Sequence, residues 1–219
     1  MPQALMKKTV ALFTHQPRCC IESVNGIVTA LHNDYKFKIF TRHPVDDDFF
    51  DDVDLLCMPG GIGDADSWDW LMDDNLDLIE NYLERRGKYL GICMGAYWAD
   101  SYYFDLLEGI EVDQYIKRPG ADTRRPHAKA QSVNWCGENL KMYFYDGCAF
   151  AGPGLSNSEI WATYPNGDPM AIIQGNVGVI GCHPESEQSW YDDYSWLPRY
   201  WHRGYHHKLL LDFVNRLMK

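Results

Sequence analysis

A cysteine stands between two glycines in the stretch Gly91-Ile92-Cys93-Met94-Gly95. The preceding Lys88-Tyr89-Leu90 predicts the end of a buried strand, and Ala96 to Tyr103 predict a helix. Glycines on both sides of Cys93 let the backbone turn sharply where a Cβ atom would clash. The thiol would then lie at a helix N-terminus, which favours the thiolate. The spacing therefore predicts a nucleophile elbow, and the alternative is a structural cysteine at an ordinary strand–helix junction.

A candidate base and a group to orient it occur together in His183-Pro184-Glu185, after a predicted strand at Val177 to Cys182. A cysteine nucleophile needs a base that moves its proton, and that base needs a third group to fix its tautomer. Residues two apart on an extended segment point to the same side. We therefore predict that His183 is the base and that Glu185 orients it. The alternative is a histidine that only caps the end of a strand.

Donors for a developing oxyanion are predicted at Pro59-Gly60-Gly61, which follows the apolar run Val53 to Met58. Acyl transfer needs N–H groups aimed at the oxygen that becomes negative. We predict that the backbone N–H groups of Gly61 and Met94 form this oxyanion hole. Gly60 would let bare backbone approach the substrate.

The elements that must position these groups alternate along the N-terminal half. Predicted strands at Lys8–Thr14, Tyr35–Thr41, Val53–Met58 and Lys88–Leu90 alternate with predicted helices that end near His32 and Arg86. This alternation predicts a parallel sheet with helices on both faces and an active site at the carboxyl edge of the strands.

The C-terminal half, from Gly109, contains short strand candidates, a hairpin around Gly175-Asn176 and a closing helix at Leu209 to Met218. No linker separates the halves. We therefore predict one α/β domain, residues 1–219, with an antiparallel extension of a mostly parallel central sheet.

Composition excludes several classes of function. The chain has 219 residues, 46% of them hydrophobic, and a formal net charge of -11, which argues against nucleic acid and anionic membrane as partners. No apolar run is long enough for a spanning helix, and Met1 to Lys8 lack the apolar core of a signal peptide. The 7 cysteines are scattered without a repeated C-x-x-C spacing, which predicts reduced thiols and a cytoplasmic location.

Three further groups of residues suggest other chemistry. In the loop Lys117 to His127, Arg118 and Arg124 are candidates to bind a carboxylate or phosphate of the substrate. The vicinal Cys19 and Cys20 are a redox pair or, as we expect, small apolar fillers. A histidine pair four apart after Trp201 and an acidic run at Asp46 to Asp48 would suit a metal, but we predict exposed segments there and no metal or cofactor.

Taken together, Pro59-Gly60-Gly61, Gly91-Ile92-Cys93-Met94-Gly95 and His183-Pro184-Glu185 resemble the three signatures of class I glutamine amidotransferase domains. The segment from Gly87 to Ala99 is similar in particular to the amidotransferase-like domain at the N-terminus of eukaryotic biotin–protein ligases and to stand-alone relatives. This resemblance implies a flavodoxin-like three-layer sandwich and a Cys93–His183–Glu185 triad.

Tyr97 stands where glutamine-hydrolysing members of that superfamily usually have Gln, four residues after the cysteine. A phenol cannot present an amide to the substrate amino acid, so we expect little glutamine turnover and count Tyr97 among the substrate-binding residues. No synthetase domain fits in this chain. Two hypotheses follow: a cysteine hydrolase or acyltransferase acting on a small amide, or a binding or regulatory module that partners a separate synthetase or ligase subunit.

Overall fold

The computed structural model describes residues 7–62 and 64–219. Met1 to Met6, part of the segment inspected for a signal peptide, and Gly63 of the glycine turn lie outside the described residues.

Short apolar runs form the strands, most of them where the sequence predicts strands. In chain order they are β1 (Thr9–Phe13), β2 (Lys36–Phe40), β3 (Leu55–Met58), β4 (Lys88–Ile92), β5 (Glu111–Gln114), β6 (Lys129–Trp135), β7 (Glu138–Phe144), β8 (Cys148–Ala151), β9 (Glu159–Thr163), β10 (Pro169–Gln174) and β11 (Val177–Ile180).

The helices are mostly amphipathic, with an apolar side packed on the sheet or on one another. They are α1 (Ile21–Leu31), α2 (Ala65–Met72), α3 (Leu76–Glu84), α4 (Met94–Tyr97), α5 (Gln188–Asp192) and α6 (Tyr205–Leu217).

The central sheet has the strand order β2-β1-β3-β4-β11-β10-β9-β6-β7. The pairs from β2 to β11 are parallel, and those from β11 to β7 are antiparallel. The predicted fold class is confirmed: a mostly parallel sheet flanked by helices carries an antiparallel extension. β5 and β8 form a separate two-stranded sheet.

Three helices differ from the sequence prediction, and one of them is the short α5, for which the sequence predicts no helix. The helix predicted at Ala96 to Tyr103 is only the single turn α4, because the chain folds into successive tight turns at 98–104 and Trp98 enters the core. α2 was not predicted, since its run ADSWDWLM has little helical periodicity. Asp64 begins α2 by accepting a hydrogen bond from the Ser67 N–H at 2.7 Å.

Three neighbouring strands bring the predicted chemical groups to one edge. β4 pairs with β3 on one side and with β11 on the other, with Met58 opposite Gly91 and Ile180 opposite Ile92. Because all three strands are parallel, the segments that follow them leave the sheet at the same edge.

Helix α1 packs closely on the turn that carries Glu185. A Cβ atom added at Gly26 would lie 2.0 Å from the carbonyl oxygen of Glu185, well inside van der Waals contact. The glycine therefore allows the contact between α1 and the Glu185 turn. Among the described residues, no helix combines the length and the apolar character needed to cross a bilayer.

Replacing this glycine tests the contact. Helix propensity alone predicts that Gly26→Ala stabilises the protein by up to about 1 kcal/mol. We expect the opposite sign, a loss of about 1–3 kcal/mol in the free energy of unfolding, because backbone must move. Asn25→Ala, on the exposed side of the same helix, should be neutral or slightly stabilising. Urea unfolding monitored by fluorescence measures both, and a stabilising Gly26→Ala would contradict the close contact.

Candidate functional site

Cys93 lies at the turn between β4 and α4 in a strained backbone conformation. Its φ of 50° and ψ of -102° are rare for a residue with a side chain. Gly95 makes the turn possible, because a Cβ there would lie 2.1 Å from the Met58 carbonyl oxygen. Cys93 is 7% exposed and lines two cavities.

His183 and Glu185 form a buried pair just after β11. The Nδ1 atom of His183 lies 2.9 Å from Oε1 of Glu185. The Cys93 sulfur is near enough to act electrostatically on the imidazole, and its own hydrogen-bond contact is with the carbonyl oxygen of Tyr145 at 3.7 Å. Since a carboxylate oxygen only accepts hydrogen bonds, Nδ1 must carry a proton. Nε2 is then the ring nitrogen that is available to exchange a proton with the Cys93 sulfur. The sequence-predicted nucleophile, base and orienting acid are thus brought together.

The electrostatics of this pair follow from burial. Burial by itself would lower the pKa of His183, but the Glu185 carboxylate and the Cys93 sulfur outweigh it and raise that pKa above its usual value. Glu185 is completely buried, and its Oε2 atom has no hydrogen-bond partner among the described residues. A positive imidazolium beside it offsets the cost of burying this charge.

Ser23 is a site residue that sequence reasoning missed. Its hydroxyl donates to Oε1 of Glu185 at 2.6 Å and accepts the Gly60 N–H at 3.0 Å. The same side chain therefore joins α1, the turn after β3 and the acid that follows β11. No local signal distinguishes Ser23 in the sequence, since its partners lie 37 and 162 residues away.

Gly61 and Met94, whose backbone N–H groups are the predicted oxyanion donors, line one cavity together with Cys93. A short bridge links Cys19 to Gly61, but its hydrogen bonds come from the N–H groups of Cys20 and Ile62, so it does not use the Gly61 N–H. Met94 begins α4, where an N–H has no acceptor within the helix. A Cβ at Gly60 would lie 2.8 Å from the His183 ring, so that position needs a glycine.

Two cavities meet at Cys93. We call them the His183 cavity and the Met94 cavity, each after a residue that lines it and not the other. The His183 cavity, of about 260 Å³, contains Gly61, Cys93 and the base and is otherwise lined by Cys20, Glu22, Tyr143, Tyr145, Trp190, Asp193 and Tyr194. The Met94 cavity, of about 450 Å³, shares Gly61, Cys93 and Tyr145 with the first and is further lined by Ile62, Asp64, Met94, Tyr97, Gln114 and Asp146.

The hydroxyl of Tyr97 already has a hydrogen-bond partner within the protein. Its hydroxyl donates to the carbonyl oxygen of Asp146 at 3.1 Å, and burial raises its pKa far above the usual value. It contributes a neutral ring to the wall of the Met94 cavity.

The two arginines predicted to bind substrate do not line either of these cavities. Arg118 pairs with Asp168 at 2.9 Å and with Asp113 at 2.8 Å. Arg124 donates to the carbonyl oxygens of Ile116 and Arg118. Arg118 lines a neighbouring cavity that it shares with Tyr97.

The histidine run before α6 supports the Glu185 turn from outside. His202 and His207 each place Nε2 within 3.2 Å of a carbonyl oxygen of Glu185 or Ser186, so these nitrogens donate. Burial lowers the pKa of His202 to about 4 and that of His206 to about 3, so both are neutral at pH 7. The start of this helix is exposed at Tyr205, as predicted, but buried at His206. Within the described part of the chain, no cluster of three or more ligating side chains could hold a metal.

Comparison with known proteins agrees with this architecture. Residues 14–115 match the family model described as "Biotin-protein ligase, N terminal". A glutamine amidotransferase from Thermotoga maritima superposes with a TM-score of 0.65 at 14% identity, covering 98% of this chain and 99% of that one. The chain has the fold of the class I glutamine amidotransferase-like superfamily.

Other solved structures share this amidotransferase-like fold. Another glutamine amidotransferase gives a TM-score of 0.65 at 17% identity, covering 95% of this chain and 98% of that one. PurLQS from Thermotoga maritima gives 0.62 at 15% identity, covering 97% and 100%. A search of curated proteins finds no match. The family match includes Cys93 but ends before His183 and Glu185, so it does not test the triad.

Removing the carboxylate tests the electrostatics of the pair. In Glu185→Gln, burial still lowers the pKa of His183 while the main charge that raised it is gone, so that pKa should fall. NMR titration of the ring carbons, with the His183 signal assigned by His183→Asn, measures the change. The matched variant Glu187→Gln, whose carboxylate accepts from Thr29 instead, should leave the His183 pKa unchanged. An unchanged pKa in Glu185→Gln would contradict the proposed cause.

Proposed function

We propose that this protein is a cysteine-dependent amidohydrolase or acyltransferase that acts on a small amide. Cys93 is the nucleophile, His183 the proton carrier and Glu185 the group that orients and charges His183. The single observation that carries the proposal is the buried, hydrogen-bonded pair of His183 and Glu185, whose imidazole lines one open cavity together with the Cys93 sulfur.

The reaction follows from these positions. The sulfur of Cys93 attacks the amide carbonyl, and the N–H groups of Gly61 and Met94 stabilise the oxygen that becomes negative. The C–N bond then breaks as His183 gives its proton to the leaving nitrogen, which leaves a thioester on Cys93. Water or an acceptor amine, deprotonated by His183, attacks the thioester and restores the thiol.

Ser23 acts as a positioning residue in this proposal. Its two hydrogen bonds tie the Glu185 carboxylate to the Gly60 backbone, one residue before the proposed oxyanion donor Gly61. The base and the oxyanion hole are therefore held at a fixed separation, as pre-organised catalysis requires.

The alternative function is a binding or regulatory module that serves a separate ligase or synthetase subunit. Tyr97 favours the binding module, because its phenol replaces the amide expected of a glutaminase and already donates a hydrogen bond to the Asp146 carbonyl oxygen. The description of the matching family and the PurLQS likeness are compatible with such a partner. In either case we propose that residues 1–219 form one domain, since the central sheet takes strands from both halves, and that the chain works in the cytoplasm, as its free cysteines suggest.

Alkylation separates the two functions. With limiting iodoacetamide at pH 7, we expect Cys93 to react at least about tenfold faster than Cys136, although Cys136 is the more exposed thiol, because only an activated thiolate reacts fast. Peptide mass mapping over time gives both rates, and the buried Cys57 and Cys182 serve as unreactive controls. Faster reaction at Cys136, or equal rates at all thiols, would exclude the enzyme and leave the binding module.

A further inference from the structure

The His183 cavity has a defined role if the proposed function holds. A general acid must lie next to the atom that it protonates, so the leaving nitrogen of an amide must lie on the His183 side of Cys93. The part of the substrate bonded to that nitrogen, or an acceptor amine that replaces it, therefore occupies the His183 cavity.

The walls of this cavity are aromatic. The Tyr143 ring packs edge-on against Trp190 with their centroids 5.1 Å apart, and Trp190 packs in the same manner against His183 at 5.2 Å. Tyr145 and Tyr194 complete the aromatic lining. Aromatic faces attract cations through their quadrupole, and most strongly when water is excluded.

Two carboxylates, Glu22 and Asp193, stand in the same lining. Among the described residues, no lysine or arginine lines the His183 cavity, and none forms a salt bridge with either carboxylate. The negative charge of this cavity is therefore not balanced by the protein's own lysines and arginines.

We propose that the amine portion of the substrate carries a positive charge of its own, as in an amide of a diamine. Its ammonium group would lie between the aromatic rings and the carboxylates of Glu22 and Asp193. A substrate portion with a free carboxylate would be repelled by the same groups. This inference rests on the proposed function, because it uses Cys93 as the reactive atom and His183 as the general acid.

Thiol reagents that differ in charge test the proposal. Methanethiosulfonates that carry a trimethylammonium, a methyl or a sulfonate group react with Cys93 by displacing methanesulfinate, so their rates report the charge preference of its surroundings. We expect a ratio of cationic to anionic rates at Cys93 at least about tenfold above that at Cys136, and a lower ratio in 1 M salt.

The double variant Glu22→Gln/Asp193→Asn should reduce the ratio of cationic to anionic rates at Cys93 several-fold. The matched control Asp47→Asn/Asp48→Asn removes two exposed charges far along the sequence and should preserve the ratio. Equal reductions in both variants, or equal normalised rates for all three reagents, would overturn the cation preference. If Cys93 reacted with the neutral reagent more slowly than Cys136, the proposed function would be overturned. Failure of the cation preference and failure of the proposed function are therefore distinguishable.

Discussion

The site depends on the contact between a fully buried carboxylate and one imidazole. Glu185 has no access to solvent, and it receives hydrogen bonds from Ser23 and His183 on a single oxygen. A carboxylate in such surroundings is costly unless positive charge lies next to it. That requirement raises the pKa of His183 and prepares the imidazole to hold a proton beside the Cys93 sulfur.

The sheet makes this contact possible by its strand order. β4 carries Cys93 between β3, which leads to the glycine turn, and β11, which leads to His183. Glycines at the points of closest approach, Gly26 against the Glu185 backbone and Gly60 against the His183 ring, allow distances that a Cβ would prevent. Strand pairing and glycines at the close contacts therefore specify the arrangement as much as the reactive groups do.

Much of this could be predicted from local sequence. The apolar runs before Gly60, Cys93 and His183 predicted strands, and strand ends in parallel sheets meet at one edge, so these residues could be expected together. Contacts between distant segments could not be predicted in the same way. Ser23 has an ordinary helical sequence around it, and the pairing of Arg118 with Asp168 spans 50 residues. The short α4 was mispredicted because burial of Trp98 overrode a pattern that resembled a longer helix.

A double-mutant cycle on the alkylation rate of Cys93 tests the central claim most directly. The rates are measured for the wild type, His183→Asn, Glu185→Gln and the double variant, after confirming that each is folded. Because Glu185 acts only through His183 in this account, Glu185→Gln should slow the reaction in the wild type and have no further effect once His183 is replaced. Independent, additive effects of the two substitutions would contradict the account.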